Sequence, residues 1–204
     1  MAGKFRPGEK LKEQELCREL NVSRTPLREA FRILQTQNLI SYSPYIGVTV
    51  AELTPRFVEE MWYIKTLLMP QCAALAAENA TPPQIDALYV ILEEQRSLWE
   101  KPLHLFHSLD YRFHLAVATC SGNTELHNLL GFLYESSGLA RTLILLDCDS
   151  IRQSCEEHEL LVDAVASGDA EKGKLHAIEH LERSKKVVLA NINAQYSVEN
   201  RERA

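Results

Sequence analysis

Four side chains stand out by type and spacing. Asp110 and His114 are four residues apart, so on a helix both project from one face and can meet a single ion. His158 and His180 flank a Gly168-Asp169 break, each about ten residues from it. Two helices folded back at that break carry both imidazoles at one height, about 15 Å from the turn at 1.5 Å per residue. One carboxylate and three imidazoles converging in a helical core suit a divalent metal, Zn²⁺ first, with Ni²⁺ or Mn²⁺ as alternatives. An octahedral metal held by these four keeps two positions for water or a ligand carboxylate. Taken singly, a histidine is more often a satisfied core or surface residue. His104, His107, His127 and His176 are read that way, His176 being the nearest competitor because it lies one turn from His180.

A second group is cationic. Ser23-Arg24-Thr25-Pro26-Leu27-Arg28 opens a helix, and a DNA-reading helix needs its first turns studded with donors. Arg24 and Arg28 share one face and suit a bidentate hold on guanine O6 and N7, worth about 1–3 kcal/mol of base discrimination. The hydroxyls of Ser23 and Thr25, with the free N–H groups of the helix start, suit phosphate oxygens. A solvated helix with a capping serine and two surface arginines has the same composition, so residue types alone leave both readings open. Arg141, among apolar neighbours, is a candidate anion contact or equally a rim arginine.

The elements that must position these residues follow from periodicity and punctuation. Residues 9–20 predict a helix with Leu16 and Leu20 at helical spacing, broken at Asn21-Val22-Ser23. A second helix is expected from Arg24 to Gln37, with Leu27, Ala30, Phe31 and Leu34 on one face and Asn38 at the left-handed exit. Leu39 to Val50, turning at Pro44 to Gly47, reads as a hairpin. That order is a winged helix-turn-helix. From Thr54 onward no strand is evident. Breaks at Thr81-Pro82-Pro83, Lys101-Pro102, Ser121-Gly122-Asn123, Cys148-Asp149-Ser150 and Ser167-Gly168-Asp169 separate six amphipathic stretches. Short connections make neighbours antiparallel, so the expectation is a six-helix bundle. The fold class is mainly α: a DNA-binding domain over 1–53, an all-helical domain over 54–194, and a tail over 195–204 that frays as the apolar period lapses.

The net charge of -6 is unevenly spread. Residues 1–50 hold eight basic and five acidic side chains, giving +3, and the remainder holds fourteen basic and twenty-three acidic, giving -9. A mildly basic head on an acidic body fits a nucleic-acid partner better than the total suggests. The five cysteines are scattered, odd in number and never C-x-x-C, which fits a reducing, cytoplasmic setting. No apolar run approaches the roughly 20 residues of a membrane span, and the N-terminus lacks a signal-peptide core. A di-iron bundle enzyme is disfavoured because no Glu precedes His114, His158 or His180 by three. A zinc hydrolase is disfavoured because no H-E-x-x-H occurs. A bundle that only dimerises is the other alternative.

Pro7-Gly8-Glu9, Leu11, Glu13 and Leu16, then Val22-Ser-Arg-Thr-Pro-Leu-Arg-Glu-Ala30, Leu34, Leu39-Ile40, Gly47 and Val50, closely resemble the GntR winged-helix domain. The resemblance implies that Lys10, Ser23, Arg24, Thr25 and Arg28 face double-stranded DNA, with Gly47 at the wing tip. The family usually has a full helix before the Pro-Gly element, where only Met1 to Arg6 stand here. Residues about 55–190 resemble the FCD ligand-binding domain of FadR-type regulators, in its six-helix, VanR-like branch. The matching motifs are Asp110-x-x-Phe113-His114, Ser121-Gly-Asn123, Glu157-His158, Ala164-Val165-x-x-Gly168-Asp169 and His180. The resemblance places that family's metal ligands on Asp110, His114, His158 and His180. Where the family commonly has Arg and then Glu four residues later, Lys65 and Met69 stand here; Lys65 keeps an effector-binding charge but not the bidentate fork. The function implied is a homodimeric, non-enzymatic transcription regulator, usually a repressor. It would read a pseudo-palindromic operator and respond to a small organic acid.

Overall fold

The structure, a computed structural model, describes residue 5 and residues 7–98, 103–137 and 148–202. In chain order the elements are α1 (Glu13–Leu20), α2 (Arg24–Thr36), β1 (Ile40–Ser43), β2 (Gly47–Val50), α3 (Pro55–Asn79), α4 (Pro82–Arg96), α5 (Leu103–Cys120), α6 (Thr124–Ser136), α7 (Cys148–Ala166) and α8 (Ala170–Glu202). Eight helices and one antiparallel hairpin among the described residues are the mainly α architecture that the spacing predicts.

The head is built as its punctuation requires. Asn21 and Asn38 both take positive φ, 53° and 54°, which lets the chain leave α1 and α2 without a glycine. The hairpin pairs Ile40 with Val50 and Ser43 with Gly47, whose φ of +94 suits only glycine readily. One expectation differs. Residues 9–12 are extended rather than helical: Lys10 bridges Thr49 and the Leu11 N–H donates to the Val48 carbonyl at 2.8 Å. Pairing with β2 turns Leu11 inward to join Leu16, Leu27, Phe31 and Ile40 in a small core, so α1 starts only at Glu13.

Six of the described helices follow Thr54, whose hydroxyl accepts from the Phe57 N–H at 3.1 Å and caps α3. α3 buries Val58, Trp62, Met69, Cys72, Ala73 and Ala76 and packs against α5, α6, α7 and α8, so it forms the axis of the bundle. Its most extensive contact is with α8. Gly173 makes that approach possible: a Cβ there would stand 3.1 Å from the Ala73 carbonyl oxygen. Arg141 and the expected continuation of the fourth helical stretch beyond residue 137 lie outside the described residues. α8 continues to Glu202, past residue 195 where the sequence predicts a fraying tail; extending a helix already nucleated by its packed turns needs only one further backbone bond per residue.

Candidate metal centre and DNA-reading surface

Three helices bring one small group together. Asp110 and His114 lie on α5, His158 on α7 and His180 on α8, and one ligand atom from each lies within 4.8 Å of all the others. The Gly168 turn, at φ +71, folds α8 back along α7 so that the His158 and His180 ring centroids are 4.6 Å apart. Nε2 of both His114 and His158 faces Oδ1 of Asp110, at 3.6 and 3.7 Å. The imidazoles are buried, His158 completely. Phe113 stacks on His158 at 4.0 Å and Tyr134 on His114 at 4.7 Å, which fixes the planes of both rings.

The outer contacts decide which nitrogen is available. Nδ1–H of His158 donates to Gln95 Oε1 at 3.0 Å, leaving Nε2 as the lone-pair nitrogen. That Nε2 is buried and has no hydrogen-bond partner, and neither has Nδ1 of His114. Nδ1–H of His180 donates to Glu157 Oε2 at 2.8 Å, and the other oxygen of Glu157 accepts from Nε of Arg183. Burial pushes the His114 imidazole down to about 4, against the pull of Asp110, and burial with the neighbouring imidazoles holds His158 well below its usual value. Burial would raise Asp110, but the three imidazoles outweigh it and keep the carboxyl below the usual carboxylate range. Glu157 is likewise held down by His180 and Arg183 against the effect of burial. At neutral pH His114 and His158 are neutral imidazoles and Asp110 is a carboxylate, the protonation states that metal ligands require.

The donor set fits a divalent cation. Two ligands on one ion stand at most about 4.4 Å apart at bond lengths of 2.0–2.2 Å, so the group needs only a small contraction. A +2 ion there would leave a net charge of +1, which invites an anionic fifth ligand. A cavity of about 60 Å³ opens on the group, lined among others by Lys65, His107, Asp110, His180 and Arg183. It has room for a few waters or a small acid. Lys65 is 2% exposed; its Nζ donates to Ser137 Oγ at 2.8 Å and sits 4.3 Å over the rings of both Trp62 and Tyr134. Gln95, Glu157 and Arg183 went unassigned from sequence, and His107, read there as structural, lines the cavity. Glu157 and Arg183 carry a local signal, one residue before His158 and three after His180. His176 lies outside the group, against Glu179 at 3.3 Å.

On the head, Ser23 precedes α2 with its hydroxyl making no capping bond, and Arg24 and Thr25 are exposed in the first turn. Arg28 is also exposed, but it forms a two-pronged ion pair with Glu13 of α1 at 3.1–3.2 Å. Lys10 lies along the wing, its Cε 3.6 Å from where a side chain at Gly47 would begin.

Residues 1–50 match the model for bacterial regulatory proteins of the gntR family, and residues 60–183 match the FCD domain. The Galactonate operon transcriptional repressor of Escherichia coli is 28% identical over 200 residues, covering 86% of each chain. The Nta operon transcriptional regulator of Aminobacter aminovorans is 29% identical over 179 residues, covering 88% of this chain and 84% of that one. The solved structure of E. coli McbR/YncC superposes with a TM-score of 0.77 at 27% identity, over 95% of this chain and 91% of the other. These relatives are transcription regulators, not enzymes. The chain, with its helix-turn-helix head and helical FCD body, belongs to the gntR family of bacterial transcription regulators.

Proposed function

We propose that this regulator is a homodimeric repressor whose helical domain, residues 54–194, senses a small carboxylate at a divalent metal, zinc first among the candidates. The observation that carries this reading is the buried Nε2 of His158. A lone-pair nitrogen with no partner in a dry core is costly, by about 1–3 kcal/mol, unless something accepts its electrons. It faces Asp110 and two further imidazoles, a grouping of the size and donor type that would hold a small cation. Asp110, His114, His158 and His180 would hold the metal. A bound cation supplies a Lewis-acid centre for carboxylate oxygens. Lys65 contributes a second positive charge at the cavity wall, and the apolar Phe106, Leu181 and Val188 limit the ligand to a short carbon skeleton.

The reading head is residues 1–53. Arg24 and Arg28 are assigned to base edges, Ser23, Thr25 and Lys10 to phosphates, and Gly47 to the wing tip beside the minor groove. Two heads on one dimer match a pseudo-palindromic operator. Repression is supported by the relative named as the galactonate operon repressor. The test is metal retention joined to DNA binding. Purified protein should keep close to one zinc per chain through dialysis, and His158→Ala should lose it while still folding. Operator affinity should change on adding short carboxylates to the metal-loaded protein only. Operator affinity indifferent to both metal and every short carboxylate would remove the sensor.

A further inference from the structure

The metal site and the cavity share one side chain that neither strictly requires. Glu157 divides its carboxylate, Oε2 accepting from His180 Nδ1–H at 2.8 Å and Oε1 accepting from Arg183 Nε. Arg183 is itself held by Ser154, whose Oγ accepts from Nη2 at 2.7 Å. Arg183, Ser154 and His180 all line the cavity, whereas Glu157 stands behind them. A guanidinium offers five donors. The bonds to Glu157 and Ser154 use two of them, so the cavity-lining guanidinium keeps donors for an anion. Resting on the metal-and-carboxylate reading above, we propose that Arg183 is an anion contact and Glu157 a positioning residue, together forming a relay between cavity and metal. With the cavity free of anion, Arg183 draws charge from Glu157 and the carboxylate is shared. When an anion takes the guanidinium, Glu157 turns its charge onto His180 Nδ1–H, which makes Nε2 a stronger donor. The anion therefore tightens the metal, and by linkage the metal tightens the anion equally.

The test measures zinc affinity of the full chain by competition with a chromophoric chelator, with and without acetate or succinate. Wild type is expected to bind zinc about 5-fold or more tightly in the presence of one of the acids. Arg183→Gln should bind zinc but lose that gain, and Arg183→Lys should retain part of it through charge alone. Glu157→Gln, which still offers His180 an oxygen, should weaken zinc by roughly 10-fold or more and also lose the gain. Failure of wild type to bind zinc would overturn the metal reading and this relay with it. Zinc binding indifferent to both acids, or a gain that survives in Arg183→Gln, would overturn the relay and leave the metal site standing. Should Arg183→Gln not fold, Arg183→Lys and Glu157→Gln decide the outcome: an undiminished gain in both overturns the relay.

Discussion

Lys10 and Arg24 are both exposed cations on the head, yet they would do different work on a duplex. Lys10 runs beside Gly47 on the wing and is the cation proposed above for phosphate contact. Lys10→Ala is expected to weaken binding to all sequences alike and to reduce the slope of log affinity against log salt by about 1. Arg24 projects from the first turn of α2, the part of a recognition helix that reaches bases. Arg24→Ala should relax the choice at one operator position by roughly 10-fold while leaving binding to random DNA little changed. Competition binding at several salt concentrations separates the two. If both variants lost specific and non-specific binding equally, α2 would be a phosphate clamp and not a reader. Arg28 stands between these cases, because Glu13 holds its fork in the free protein.

At the scale of elements, the placing of His180 depends on how closely α8 approaches α3. At Gly173, two turns before His180, a Cβ would stand 3.1 Å from the Ala73 carbonyl oxygen. Alanine would add about 1 kcal/mol of helix propensity, but the neighbour is helix backbone that cannot step aside, and overpacking costs about 1–3 kcal/mol. The second effect wins. Gly173→Ala should lower the thermal midpoint modestly and weaken zinc binding by displacing His180; a raised midpoint would mean the two helices part freely. The same α3 buries Cys72, whose thiol burial pushes up to about 11. It should resist iodoacetamide at pH 8 in the native protein and react when unfolded, since only the thiolate attacks. Rapid native alkylation would place it in a mobile part of the bundle. Much of this was legible beforehand. The spacing of Asp110 and His114 and the equal distances of His158 and His180 from Gly168-Asp169 are properties of one helix and one turn, which periodicity reports. Gln95, Glu157 and Arg183 were not assigned because their contacts join different helices, and helix rotation about its axis is set by packing across the whole core. Residues 9–12 went wrong for a related reason: their partners, Val48 and Thr49, lie some forty residues on, and local propensity cannot see a strand edge.

Across the molecule, the apolar residues divide unequally. Five buried residues hold the head, while the largest cluster runs from Leu53 to Ile192 and takes in most of the body. A core of that size is expected to supply a few kcal/mol at most, so the head should be the weaker unit. Calorimetry of the metal-stripped protein is therefore expected to show a lower transition from the head and an upper one from the body. Zinc at a hundred times its dissociation constant adds about 2.7 kcal/mol to whatever unfolds with the site. That increment should raise the upper transition alone, and operator DNA should raise the lower. The comparison carries information about signalling. If the metal moved only the body in free protein but both transitions once operator was bound, the dimer on DNA would be what links sensor to reader, because the DNA fixes the separation of the two heads. A single transition raised by either ligand would instead mean that head and body unfold as one. An effector in the cavity could then reach α2 through packed side chains within one chain, with no need for the second.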